Sequence, residues 1–255
     1  MSKDIAARKA KERREKLRRI RRKQQLRTML IVVLVAVVLA VLIWLYRSDL
    51  FKIKKTEITG NHRLTDSQIE KISAIKPGTS LVRVPLRDIE RRLTKNPWIE
   101  GVEISRSFPN TLRIQLTERK AIAIIPVQDG GAIVDREGLV LEKRQSVDRV
   151  NLPIVKDLDV RRVKIGQKIR SRSFSNAISC LSHLEDKIRK SLSIVSAPTV
   201  DKLSLYTNKG VEILYGKAEN FSKKNYILRK ILSTDDRVKF IDVRVVANPV
   251  IKRLP

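Results

Sequence analysis

The sequence has one cysteine in 255 residues, two histidines, and an aromatic content of only 4%. A single cysteine, Cys180, excludes an intramolecular disulfide, so packing alone must hold the folded domains together. His62 and His183 lie far apart in sequence, without acidic or cysteine residues at metal-ligand spacing. A glycine-rich phosphate loop, a G-x-S-x-G motif and a clustered carboxylate pair are also missing. These absences argue against an enzyme, and they predict no cofactor and no metal.

One long apolar stretch, MLIVVLVAVVLAVLIWLY, covers residues 29–46 without a charge, a glycine or a proline. As a helix rising about 1.5 Å per residue it would be roughly 27 Å long, which suffices to cross a bilayer core. A buried core helix would keep a polar face, and a cleaved signal peptide would have a shorter apolar region with small residues at the cut site. The stretch therefore predicts an uncleaved transmembrane helix, with Trp44 and Tyr46 at the far interface.

Residues 1–28 form a basic tail with thirteen Lys or Arg residues and three acidic residues. The positive-inside rule places this tail in the cytoplasm and the rest of the chain beyond the membrane, in a single-pass topology. The tail has no aromatic residue for base stacking and no recognisable reading module, so we expect no specific nucleic-acid partner. An anionic lipid surface is the favoured contact, because each basic residue near it gains about 1 kcal/mol.

The chain after the apolar stretch begins with a strand over residues 51–59, FKIKKTEIT. Its apolar residues change face near Lys54, which predicts a β-bulge there. Thr65 and Gln68 have the spacing of a helix capping box, and they predict a helix over residues 64–75.

A second helix opens in the turn that contains Pro85 and ends before Pro97, because proline disfavours helical geometry in the residue before it. Two runs of strict alternation follow, over residues 102–108 and 112–116, and they predict an antiparallel hairpin with one buried face. The alternation places Phe108 on that face. The predicted order is β-α-α-β-β, with helices covering one side of a sheet.

The remaining chain predicts further hairpins and two helices, over about residues 175–189 and 222–232. Cys180 lies within the first helical pattern and is interpreted as an inert buried thiol. In the second helix, Ile227 and Leu228 are predicted to be buried and Lys224 to be exposed.

The last two predicted strands cover residues 240–246 and 250–254. A final strand is favoured at a sheet edge, where its unpaired backbone groups accept a partner strand. The alternative is an ordinary solvated edge, protected from association by Lys252 and Arg253.

The spacing of apolar, glycine and proline positions over residues 51–119 resembles a POTRA domain. The positions that carry the resemblance are Phe51, Ile53, Ile58, Gly60, Asn61, Gly78, Leu93, Pro97, Trp98, Val102, Arg106, Pro109, Leu112, Ile114, Glu118 and Arg119. With a basic tail and one span in front and a β-rich domain behind, the whole chain is similar to the FtsQ/DivIB family of bacterial cell division proteins. Two positions depart from the family pattern, namely Ala121 in place of a proline and Val245 in place of a tyrosine.

The resemblance implies an α+β protein: the tail (1–28), a single transmembrane helix (29–46), a β-α-α-β-β POTRA domain (51–119), and a C-terminal, mainly antiparallel β domain with flanking helices (120–255). It also implies a place in the bacterial plasma (inner) membrane at the division septum, with a cytoplasmic N-terminus and extracytoplasmic C-terminal domains.

The family resemblance further implies a non-catalytic, membrane-anchored scaffold of the divisome. Its partners would be FtsB-type and FtsL-type coiled-coil division proteins, and other divisome membrane proteins are possible partners. By position, the partner-binding strand carries over to Val250, Ile251, Lys252 and Arg253. The alternative function is a periplasmic POTRA-type chaperone or export component that holds extended strands.

Overall fold

The computed structural model describes residues 27–41, 43–44, 49–76, 78–128, 130–146, 150–158, 160, 162–234 and 237–254. The predicted basic tail lies outside these residues except for its last two positions, and so do positions 42, 45 and 46 of the predicted span. Residues 27–41 and 43–44 are helical. Their large apolar side chains are exposed, at 63% for Leu34 and 70% for Trp44. Within the described ranges, the structure contains no helix whose length and apolarity suffice to cross a membrane.

Two compact units make up the chain. Among the described residues, the small unit comprises residues 27–41, 43–44, 49–57, 75–76, 78–85 and 105–113, and the large unit comprises the other described residues between 58 and 254.

After the helical residues 27–41 and 43–44, the first strands and α-helices are β1 (Lys55–Thr59), α1 (Asp66–Ser73), α2 (Leu86–Leu93), β2 (Ile99–Ser107) and β3 (Thr111–Glu118). Their order confirms the predicted β-α-α-β-β arrangement, and the three strands form a sheet in the order β1-β3-β2. In β3, Leu112, Ile114 and Leu116 are buried and alternate with exposed residues, as the sequence pattern predicts.

The start of α1 confirms the predicted capping box. Thr65 Oγ1 accepts a hydrogen bond from the backbone N–H of Gln68 at 3.3 Å, and Gln68 Oε1 accepts one from the N–H of Thr65 at 3.0 Å. The helix ends at Ser73, earlier than predicted, because Ala74 turns into the left-handed region with a φ of 50°.

The predicted bulge near Lys54 agrees with the backbone hydrogen bonds, because the N–H groups of Lys54 and Lys55 both donate to Asn110 O, at 3.0 and 3.4 Å. Residues 51–53, before the bulge, belong to a different ladder from β1. Asp49–Phe51 forms a 3-10 helix. The N–H of Ile53 then donates to Thr79 O at 3.0 Å, and the N–H of Leu81 donates to Phe51 O at 2.7 Å. The change of apolar face therefore marks the point where the chain leaves one hydrogen-bond partner for another.

The predicted burial of Phe108 is also wrong. β2 ends at Ser107, and Phe108 lies in the following turn with 61% of its surface exposed. A strict alternation in sequence continues past the end of the strand, so the pattern alone did not locate the turn.

The C-terminal part contains a sheet of nine strands. The strands are β4 (Ala121–Val127), β5 (Gly130–Asp135), β6 (Val140–Arg144), β7 (Ile154–Lys156), β8 (Leu192–Ser196), β9 (Ser204–Thr207), β10 (Glu212–Leu214), β11 (Val238–Asp242) and β12 (Val250–Arg253). Their order is β12-β11-β10-β9-β8-β7-β4-β5-β6. Five of the eight pairings are antiparallel, which agrees with a mainly antiparallel domain.

Three helices accompany this sheet: α3 (Arg172–His183), α4 (Asp186–Lys190) and α5 (Phe221–Thr234). The single helix predicted over residues 175–189 is broken, because Leu184 adopts an extended conformation between α3 and α4. Cys180 is fully buried in the core beneath the sheet, and burial raises the pKa of its thiol, as expected for an inert group.

Candidate partner-binding site

β12 forms one edge of the nine-stranded sheet and runs antiparallel to β11. Val250 lies opposite Asp242, and Ile251 lies opposite Ile241. Beyond the strand, the N–H of Leu254 donates to Arg237 O at 2.9 Å. On the other side of β12, no strand from the described part of the chain is present. The predicted edge position of the final strand is therefore confirmed.

The backbone of Ile251 faces away from β11. Backbone groups alternate in direction along an antiparallel strand, and the N–H of Leu254 points toward β11. By this alternation, the backbone groups of Lys252 and Val250 also point toward β11, whereas those of Ile251 point outward. The neighbouring strand agrees with this direction. The N–H of Val243 donates to Leu214 O in β10 at 3.0 Å. By the same alternation, the backbone of Ile241, which lies opposite Ile251, points toward β10 and away from β12.

The four predicted partner-binding residues thus lie together on one short strand. Ile251 is half-buried and packs against the core, whereas Val250 is 48% exposed. Lys252 and Arg253 are exposed, and Lys252 Nζ lies 5.3 Å from the ring centroid of Phe240. The strand therefore offers backbone hydrogen-bonding groups flanked by positive charge.

A groove of about 720 Å³ lies beside this edge, between α5 and the last two strands. Its apolar lining is Tyr226, Ile227, Ile231, Val238, Pro249 and Ile251. The side chain of Tyr226 is 56% exposed. Sequence analysis missed this groove, because apolar residues at helical spacing on α5 were interpreted wholly as core.

Lys224 holds α5 against the sheet, and its predicted exposure is wrong. The residue is 1% exposed. Its Nζ donates to Tyr215 O and to Lys217 O, both at 2.8 Å, and lies 4.2 Å from the ring centroid of Tyr215. Burial lowers the pKa of Lys224. The signal in the sequence was its spacing from Leu228, one helical turn away on the buried face.

The turn between β11 and β12 is fixed by Asp242 and Arg244. Arg244 Nη2 donates to Asp242 Oδ2 at 2.6 Å, and Arg244 Nε donates to Asp242 Oδ1 at 3.0 Å. This hydrogen bonding holds the pKa of Asp242 below its usual value of 3.8. The following residue, Val245, is 63% exposed.

Neither histidine lies in a cluster of potential ligands. His62 is exposed and donates its backbone N–H to Glu118 at 3.0 Å, while the ring of His183 stacks on Phe221 at 4.1 Å between centroids. Across the described residues, no group of three His, Cys, Asp or Glu side chains is arranged to hold a metal ion.

Two family models match the chain. The FtsQ-type POTRA domain matches residues 51–119, and the C-terminal domain of cell division protein FtsQ/DivIB matches residues 123–244. Cell division protein DivIB of Bacillus cereus is 31% identical over 212 residues, which cover 78% of this chain and 76% of that protein. The chain belongs to the FtsQ/DivIB family of cell division proteins.

Other members of the FtsQ/DivIB family show similar coverage. Cell division protein FtsQ of Syntrophotalea carbinolica is 27% identical over 215 residues, or 82% of this chain and 76% of that protein. Cell division protein DivIB of Clostridium botulinum is 27% identical over 209 residues, or 78% of this chain and 81% of that protein. The matched C-terminal model ends at residue 244, before β12 begins, so the case for β12 depends on its geometry in this chain.

Proposed function

We propose that this chain is a non-catalytic scaffold of the bacterial divisome, which recruits single-span division proteins by adding a strand of each partner to β12. The observation that carries the proposal is the outward-facing backbone of Ile251 on an edge strand, next to an apolar groove. Main-chain hydrogen bonds would supply affinity, and the groove would select the side chains that flank the added strand.

The charge of the edge narrows the kind of partner. β12 carries Lys252 and Arg253 and no acidic residue, so an apolar segment with acidic residues beside it would complement it. The family resemblance points to FtsB-type and FtsL-type coiled-coil proteins as these partners.

The proposal includes an anchor in the plasma membrane at the septum, with residues 29–46 crossing it and the folded domains outside the cytoplasm. Two features support this topology. The described apolar side chains of the stretch are exposed all around the helix rather than packed on a protein core. The thirteen basic residues that precede it favour a cytoplasmic N-terminus.

Co-purification tests the scaffold. The full chain and a variant lacking residues 249–255 would each be mixed in detergent with purified FtsB-type and FtsL-type proteins, and separately with extended strands of an outer-membrane barrel. We expect the full chain to retain the coiled-coil proteins and the truncated variant to lose them. Equal retention by both would overturn edge pairing, and preferential capture of barrel strands would favour the chaperone function instead.

A further inference from the structure

Three segments of the small unit, which are separate in sequence and joined by backbone hydrogen bonds, carry exposed apolar and basic side chains. The segments are residues 49–54, the loop over residues 78–85, and the hairpin turn over residues 108–110. We call the side chains of Leu50, Lys52, Lys54, Val82 and Phe108 the proximal patch.

Hydrogen bonds fix the first segment to the other two. Lys52 forms a β-bridge with Ser80, and the N–H of Lys54 donates to Asn110 O at 3.0 Å. The rings of Phe51 and Phe108 meet edge to face, with centroids 6.0 Å apart. The proximal patch is therefore held in place by the fold.

The loop is also tied to the hairpin. Arg106 Nε donates to Leu81 O at 2.7 Å, and Arg106 Nη2 donates to Val84 O at 3.0 Å. Val82 lies between these two anchored positions and is 37% exposed.

The apolar members of the patch are substantially exposed. Phe108 is 61% exposed and Leu50 is 54% exposed, although the chain has only five phenylalanines. Grouped apolar side chains with a polar surround mark interaction surfaces more often than single exposed residues do.

Positive charge prevails in the segments that carry these apolar side chains. Over residues 49–57, 75–85 and 105–113 the sequence has seven basic residues and two acidic residues. Both acidic residues are already paired, Asp49 with Lys52 at 2.7 Å and Glu57 with Lys55 and Arg113, each at 2.9 Å. The surface therefore attracts a negatively charged partner.

We propose that the proximal patch rests on the anionic lipid surface of the outer leaflet, with Phe108, Leu50 and Val82 in the interface and Lys52 and Lys54 among the headgroups. The inference depends on the membrane anchor of the proposed function. Leu50 follows the last apolar residue of the predicted span by four residues, which is at most about 14 Å of extended chain. Exposed apolar side chains on segments with an excess of basic residues are the combination that binds anionic interfaces.

Site-specific quenching tests this contact. The full chain would be reconstituted in phosphatidylcholine vesicles with or without phosphatidylglycerol, and a fluorophore would be attached at Val82→Cys, at Ser48→Cys beside the predicted span, or at Tyr226→Cys on α5. Cys180 is buried and its thiol pKa is raised, so labelling is confined to the introduced cysteine. A lipid with a nitroxide on its headgroup serves as the quencher.

We expect the Val82 label to be quenched several-fold more than the Tyr226 label, and only when phosphatidylglycerol is present. Each charge removed from an anionic surface weakens association about fivefold, so Lys52→Gln and Lys54→Gln should each reduce the quenching at Val82. Phe108→Ser should reduce it as well.

The Ser48 label distinguishes a failure of the lipid contact from a failure of the membrane anchor. If it is quenched while the Val82 and Tyr226 labels behave alike, the lipid contact is overturned and the anchor stands. If the Ser48 label is not quenched, the anchor fails and the lipid contact fails with it. Cross-linking of two chains through Val82→Cys, without quenching, would overturn the lipid contact in favour of a second copy of this chain.

Discussion

β6 and β12 form the two edges of the nine-stranded sheet, and among the described residues β6 pairs further with a loop, whereas β12 has no strand on its outer side. The N–H of Val140 in β6 donates to Gln167 O at 3.0 Å, and the N–H of Gly166 donates to Val140 O at 2.8 Å. Leu139 and Lys168 form a further β-bridge. Exposed sheet edges invite association and are commonly covered. The proposed partner site lies at the other edge of the same sheet, on β12.

The two edges also differ in how their adjoining turns are held. Next to β6, Asp135 is 1% exposed, and its Oδ1 accepts hydrogen bonds from the N–H groups of Glu137 and Leu139, both at 2.8 Å. Its Oδ2 accepts from Arg119 Nη1 at 2.7 Å. Next to β12, the pair of Asp242 and Arg244 is more exposed. We therefore expect the covered edge to contribute to stability and the open edge to contribute to binding.

The largest effect is expected from Arg119→Ala, which acts beside the covered edge. The substitution leaves Asp135 as a buried charge without its ionic partner, and breaking such a pair costs about 3 kcal/mol or more. We expect the free energy of unfolding, measured in urea, to fall by that amount while folded protein still binds its partners at β12. The control is Arg136→Ala, because Arg136 is exposed in its pair with Glu100 and should change little. A similar loss for both variants would contradict the assignment.

The second effect concerns the helix beside the open edge. Lys224→Met keeps most of the buried volume but leaves the carbonyls of Tyr215 and Lys217 without their donor, which costs about 2 kcal/mol. Lys223→Met, at the exposed neighbouring position, is the matched control and should leave thermal stability unchanged. If the two variants melt at the same temperature, Lys224 does not hold α5.

The open edge itself is tested by Ile251→Pro, which removes the outward N–H. Loss of one buried hydrogen bond at an interface corresponds to about 1–3 kcal/mol, so partner affinity should fall by about tenfold or more. Ile251→Ala removes the side chain but keeps the N–H. We expect Ile251→Pro to bind more weakly than Ile251→Ala in a calorimetric titration, and the reverse order would argue for side-chain contacts over strand addition.

The smallest effect is expected from Asp242→Asn, at the turn before β12. The pKa of Asp242 is lower in the folded chain than its usual value of 3.8, so its ionised form stabilises the fold above that value. This contribution disappears as the pH falls through the folded pKa. We expect the substitution to speed amide exchange in β12 at neutral pH, by an amount corresponding to about 0.5–1 kcal/mol. Once the pH falls below the lowered pKa of Asp242 in the folded chain, the variant and the parent should converge.

Local signals in the sequence predicted much of the fold. The capping box at Thr65, the proline before Trp98 and the alternation in β3 act within a few residues, and the structure agrees with each. The edge position of β12 was also predicted, and with it the location of the candidate site. That site's partners remain a prediction.

What the sequence missed depends on long-range contacts. Residues 51–53 pair with a segment more than twenty residues away, and β8 occurs where no strand was predicted. Lys224 is buried because two carbonyls after β10 accept hydrogen bonds from its Nζ, and Phe108 is exposed because β2 stops one residue earlier. Hydrophobic periodicity carries no information about such partners, so neither the groove nor the proximal patch was predicted.

In one half of the nine-stranded sheet, the spatial order of the strands follows their order in the chain. β7 lies beside β4, and from β8 to β12 each strand lies beside the strand that precedes it in the chain. A partner strand paired with β12 would take the next place in this order and extend the same sheet by a tenth strand.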